Sequence, residues 1–107
     1  MKIDLTQNLY DTSGNKLTVK ENEQIITPEL RIFLKNIALS ETDDSKNNKD
    51  IDFNIFLELN NTNEEVELEN KKIVRLQEKL PKVYGILIYG QINAILEGKK
   101  NPLAKTK

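Results

Sequence analysis

The chain is expected to fold as an α+β domain: a small N-terminal β-hairpin packed on a bundle of three to four helices, with an apolar C-terminal helix at the centre. Three observations predict this. The first twenty residues alternate apolar and polar side chains around a Gly14-Asn15 turn dipeptide. From Thr27 onward, apolar residues recur at helical spacing in separate stretches. Val83–Leu96 runs 14 residues without a charge, short of the roughly 20 that cross a bilayer and suited to a buried helix.

Taken in order, Ile3 and Leu5 alternate with polar neighbours, and Leu17-Thr18-Val19 follows the turn. A hairpin closing around Thr12–Lys16 is the natural reading, marginal unless it packs on something larger. Thr27-Pro28-Glu29 is a helix start: Thr caps free N–H groups, Pro fits the first helical position and Glu complements the dipole. Leu30, Phe33, Leu34 and Ile37 then mark a helix from about 28 to 40. Ser40–Asp50 has no apolar residue and reads as a solvated connection or a recognition loop.

Residues 51–59 are ambiguous. Ile51, Phe53, Ile55, Leu57 and Leu59 alternate as in a strand, while Ile51, Ile55, Phe56 and Leu59 outline a helical face. Beyond them, Ile73, Leu76 and Leu80 form one stripe of an amphipathic helix over 69–80, with Lys71, Lys72, Glu78 and Lys79 off the stripe and Pro81 as its stop. The last helix, about 83–97, is apolar nearly all round and so expected to be touched on several sides. Gly85 and Gly90 would admit a neighbouring backbone, and Gly98 would end the helix. Residues 1–97 then form one globular domain, and 98–107 a basic, disordered tail.

Composition excludes much chemistry. The 107 residues hold 16 Lys+Arg against 17 Asp+Glu, and no His, Cys or Trp. There is no thiolate nucleophile, no Ser–His pair and no disulfide, so no catalytic, cofactor or metal site is expected. The pairs Asp43/Asp44 and Asp50/Asp52 lack a partner base. Asp50–Asn54 opens like a calcium loop but places Ile55 and Asn61 where Gly and Glu are required. Lys, Asn and Ile dominate, as AT-rich codons would give, which weakens any functional reading of their abundance. The start has no signal-peptide core, so a cytoplasmic protein is expected.

Charge is unevenly spread. Residues 98–107 carry four lysines, and residues 1–97 carry 12 basic and 17 acidic residues, a net −5. The acidic segment Glu58, Glu64, Glu65, Glu67 and Glu69, with Asp43 and Asp44 of the loop, is the candidate partner-binding surface, either mimicking a nucleic-acid backbone or simply solvated. Two arginines and no aromatic-studded basic strip argue against direct nucleic-acid binding.

Met1–Leu9 followed by Asp11 and Gly14, the Leu-rich stretch Leu30–Leu39, Val66-Glu67-Leu68, Lys82-Val83-Tyr84 and Gly90-Gln91 before Ile95-Leu96-Glu97 together resemble a family of small phage and prophage proteins. The resemblance covers residues 1–15 and 50–97, and departs at Glu69-Asn70, where Ser or Thr would be expected as a cap. It implies a short helix over Ile51–Leu59 and a phage-encoded accessory protein of the bacterial host cell, without assigned catalytic residues. The expected function is contact with a host or phage protein, sharpest as an anti-CRISPR-like inhibitor of a host defence nuclease. A morphogenesis chaperone, which could self-associate, and a nucleic-acid accessory using the tail are the alternatives.

Overall fold

A computed structural model describes residues 1–104. The elements follow as β1 (Lys2–Asp4), β2 (Val19–Glu21), β3 (Gln24–Ile26), α1 (Leu30–Leu39), a 3-10 turn (Ser45–Asn47), α2 (Lys49–Asn61), β4 (Glu65–Glu67), α3 (Asn70–Val83) and α4 (Ile86–Leu96). The class is α+β, with an N-terminal two-stranded hairpin and four helices.

The hairpin sits later than the turn dipeptide suggests. β2 and β3 pair antiparallel, Val19 opposite Ile26 and Glu21 opposite Gln24. Asn22 and Glu23 close them, both at positive φ (50° and 66°), the type I′ geometry that matches strand twist. The turn over Thr12–Lys16 exists as a loop: Asp11 N–H reaches Asn15 O at 2.8 Å, Tyr10 bridges Lys16, and Gly14 takes φ 84°. The first strand pairs across the molecule instead. β1 lies antiparallel to β4 with Ile3 opposite Val66, both almost fully buried. A three-residue strand has too little surface to hold locally, and the core face decides its partner.

α1 starts without the predicted Thr27 cap. Glu29 is the cap residue and makes no side-chain hydrogen bond. The orphan N–H groups of Leu30 and Arg31 are satisfied by the carbonyls of Gln7 (2.7 Å) and Leu5 (3.1 Å), so the loop after β1 does the capping. Residues 51–59 are helical inside α2, which places Asp50 and Asp52 in a first turn rather than in a calcium loop. Pro81 does not stop α3, which runs to Val83. Pro removes one intrahelical bond there, at a point where the helix ends within a turn anyway.

α4 departs most from expectation. It begins only at Ile86, and it is not wrapped on all sides: Gln91, Ile92, Ile95 and Leu96 are buried, whereas Ile86 is 92 % exposed. Its main neighbour is α3. A Cβ at Gly85 or Gly90 would meet nothing within 4 Å, so neither glycine admits a close backbone; Gly98, at φ 83°, does end the helix. The tail does not come loose at residue 98. Asn101 is buried, and its side-chain amide donates to Gln91 Oε1 at 2.9 Å. Lys105 and Lys107 lie outside the described residues.

One apolar cluster unites all this. Ile3, Leu5 and Leu9 meet Leu30, Leu34 and Ile37 of α1, Ile55 and Leu59 of α2, Leu76 and Leu80 of α3, and Ile92 and Leu96 of α4.

Candidate functional site

Four segments converge on a buried cluster of charges. Arg75 and Lys79, one turn apart on α3, are 3 % and 1 % exposed. Asp52 stands three residues before Ile55 on the inward face of α2 and is 6 % exposed. Arg75 grips it with two bonds, Nε to Oδ1 at 2.7 Å and Nη2 to Oδ2 at 2.9 Å. The remaining fork nitrogen, Nη1, reaches Asp44 Oδ2 at 2.8 Å. Lys79 Nζ donates to Asp52 Oδ2 at 3.1 Å and to the carbonyl of Ala38, in the last turn of α1, at 2.8 Å. Two cations meet Asp44 and Asp52, with the exposed Glu78 at the margin, 3.7 Å from Arg75 Nη1, and among the described residues no buried side-chain polar atom lacks a partner. That completeness is what makes buried charge tolerable.

The cluster orders the segment that carries no apolar residue. Asp44 Oδ1 accepts from the Thr42 hydroxyl at 2.5 Å, the Asp44 carbonyl accepts from Asn48 Nδ2 at 2.8 Å, and Ser45 Oγ accepts from the Thr42 N–H at 2.6 Å. The Arg75 hydrogen bond, then that of Thr42, holds the Asp44 carboxyl well below the usual carboxylate range. Burial pushes Asp52 the other way, but the bonds from Arg75 and Lys79 outweigh it and keep it ionised. Arg75 is held above its ordinary value by Asp52 first, against its own burial. Both carboxylates are locked as anions and serve as anchors, not as proton donors.

Beside this anchor lies a surface hollow of about 420 Å³, lined by the end of α1 (Ala38, Leu39), by Ser40, Glu41 and Ser45, and by Lys49, Asp50, Asp52 and Phe53 of α2. Leu39 and Phe53 are each 55 % exposed there. Phe53 is backed by Phe56, ring centroids 6.0 Å apart, and Lys35 sits over the Phe56 ring at 5.6 Å. The rim carries Glu41 and Asp50 against Lys49, a net negative charge.

The predicted acidic candidates are brought together only in part, Glu58 and Glu69 at the Lys72 ammonium. Asp43 is exposed on the ordered loop, whereas Asp44 is half-exposed and pairs with Arg75. Glu58 binds Lys72 at 2.7 Å, Glu69 lies 3.6 Å from the same ammonium, and Glu67 pairs with the terminal amine at 2.5 Å. Glu64 and Glu65 remain exposed, without an ion-pair partner among the described residues. Glu58 and the hollow lie toward opposite ends of α2, a helix about 20 Å long at 1.5 Å per residue.

Sequence reading missed Arg75, weighed Asp52 only as half of the Asp50/Asp52 carboxylate pair, and placed Lys79 off the buried stripe. A charge is assigned to solvent by default because lone charges are almost never buried. The available signal was positional: Asp52 shares a face with Ile55 and Leu59, and Arg75 and Lys79 are spaced i, i+4 beside Leu76 and Leu80. Both arginines are structural. Arg31 donates to the carbonyls of Leu59 and Asn63, closing the end of α2.

Among the described residues no helix is long and apolar enough to cross a membrane, and no acidic group is arranged to hold a metal. No protein-family model, no curated protein and no solved structure matches this chain.

Proposed function

We propose that the protein works by contact with another protein, through the hollow between the end of α1 and the start of α2. The observation that carries this reading is Leu39 and Phe53, both more than half exposed, beside a polar loop held in place by a buried ion cluster. An ordered loop contributes to binding without the entropic cost of being ordered on contact. A half-exposed aromatic with an aromatic behind it is the kind of anchor that dominates interfaces. The acidic rim of Glu41 and Asp50 favours a partner surface rich in Lys and Arg.

Basic surfaces of that kind line the nucleic-acid channels of nucleases. Together with the phage-family resemblance, this supports a phage-encoded inhibitor of a host defence nuclease, acting in the host cytoplasm. Direct nucleic-acid binding has less support, because Arg31 and Arg75 are both engaged internally.

The test is cleavage of target DNA by purified defence nucleases with the protein present. Inhibition that weakens at least tenfold in Phe53→Ala with Leu39→Ala, and persists in Glu64→Lys with Glu65→Lys, supports the reading. Absence of inhibition across such nucleases rejects the inhibitor role. Sensitivity confined to the Glu64/Glu65 pair rejects the hollow as the contact.

A further inference from the structure

The hairpin β2–β3 is a two-stranded ribbon whose six residues are all exposed, with Ile25 75 % exposed at the middle of β3. Such a ribbon is marginal alone. Its two-residue turn makes Glu21 and Gln24 the first hydrogen-bonded pair, and the alternation of an antiparallel ladder then aims the N–H and C=O of Ile25 away from β2. Nothing among the described backbone bonds takes up those two groups. The outer edge of β3 is therefore open.

We infer that a second copy of this chain fills it, β3 pairing antiparallel with β3 of the copy about a two-fold axis at Ile25, to give a four-stranded sheet. Symmetry sets the register: Ile25 faces Ile25 of the copy, and Gln24 faces Ile26. A residue on such an axis exchanges both backbone bonds with its equivalent, which is what the outward N–H and C=O of Ile25 offer. No like charges oppose one another in this register. The other free edge is disfavoured, because the same symmetry at β2 would set Lys20 against Lys20 of the copy.

Three residues of strand bury less than the roughly 800 Å² per partner of a standard interface. The apolar surface continues beyond them. Val19 and Ile26 line a hollow of about 430 Å³ with Leu17, Ile32 and Ile88, and Ile26 of the copy, opposite Gln24, would lie on that same face of the ribbon. The surface is distinct from the one at Leu39 and Phe53, so the two proposals stand or fall separately.

Sedimentation of the purified chain from about 1 to 500 µM tests this. A monomer–dimer equilibrium is expected. Ile25→Pro removes the outward N–H and leaves the hairpin's own bonds intact, so it should weaken dimerisation about tenfold or more with unchanged far-UV circular dichroism. The chain has no cysteine, so Ile25→Cys supplies a single thiol. Paired residues in this register sit about 5.5 Å apart at Cα, within disulfide reach, and oxidation should give one cross-linked dimer. A chain monomeric throughout the range overturns the inference. So does a dimer that Ile25→Pro leaves unchanged and Ile25→Cys fails to cross-link.

Discussion

Asp52 holds two buried cations at once, and removing it would leave Lys79 without a carboxylate and cost Arg75 its two-bond partner, with Asp44 remaining. Truncating one member of a buried ion cluster typically costs about 3–5 kcal/mol, whereas replacing the whole cluster with apolar side chains of similar volume is often neutral. Asp52→Ala should therefore lower the urea-unfolding free energy by about that amount, and Asp52→Leu combined with Arg75→Met and Lys79→Met should recover much of it. The triple variant should still lose loop order, seen as faster proteolysis at residues 40–48, because Asp44 would lose its Arg75 partner.

The same carboxylates contribute to the acid limit, together with Glu67, which its bond with the terminal amine holds below its ordinary value. Asp44 and Asp52 are both lowered from a starting value of 3.8 in the folded state. Their contribution is thus fully present above that value, and it is lost as pH falls through it toward the lower folded values. Stability should be flat near neutrality and decline between about pH 5 and pH 2. Asp44→Asn should flatten that slope, measured as urea midpoints against pH, and an unchanged slope would remove Asp44 from the account.

At the scale of elements, α4 behaves as a one-sided helix despite its apolar sequence. Gly90 lies at its surface, and a Cβ there would meet nothing. Gly90→Ala should raise stability by roughly 1 kcal/mol through helix propensity alone. A destabilised variant would mean that something approaches this helix in solution. The buried side of α4 is fastened by Gln91, whose side-chain amide donates to Tyr10 O at 2.9 Å and accepts from the Tyr10 N–H at 2.7 Å. Gln91→Ala strands the part-buried N–H and C=O of Tyr10 and the buried amide of Asn101 and should cost about 1–3 kcal/mol, read as a lower thermal midpoint.

At the scale of the whole molecule, a single core draws on β1, every helix and β4. The chain should unfold in one cooperative transition. Ile3→Ala and Leu96→Ala, from opposite ends of the sequence, should each lower that transition by about 2–5 kcal/mol rather than create a second one. Separate midpoints by tyrosine fluorescence and far-UV circular dichroism would show that the ends fold apart.

The sequence by itself determined the local signals: the stripes of α1 and α3, the Gly14 turn and the Gly98 helix end. Each depends on residues within a turn or two of one another, and that is where propensity and periodicity act. It left open whether 51–59 is strand or helix, since both periods fit the same residues. Packing of Ile55 and Leu59 into the core decides for helix. Three further features came only from tertiary structure. β1 finds β4 some sixty residues away, α4 is left half exposed, and Arg75 and Lys79 are buried against Asp44 and Asp52. In each case the deciding energy comes from groups distant in the chain. Spacing can place Asp52, Arg75 and Lys79 on inward faces, but it does not say which face or which opposite charge will meet them.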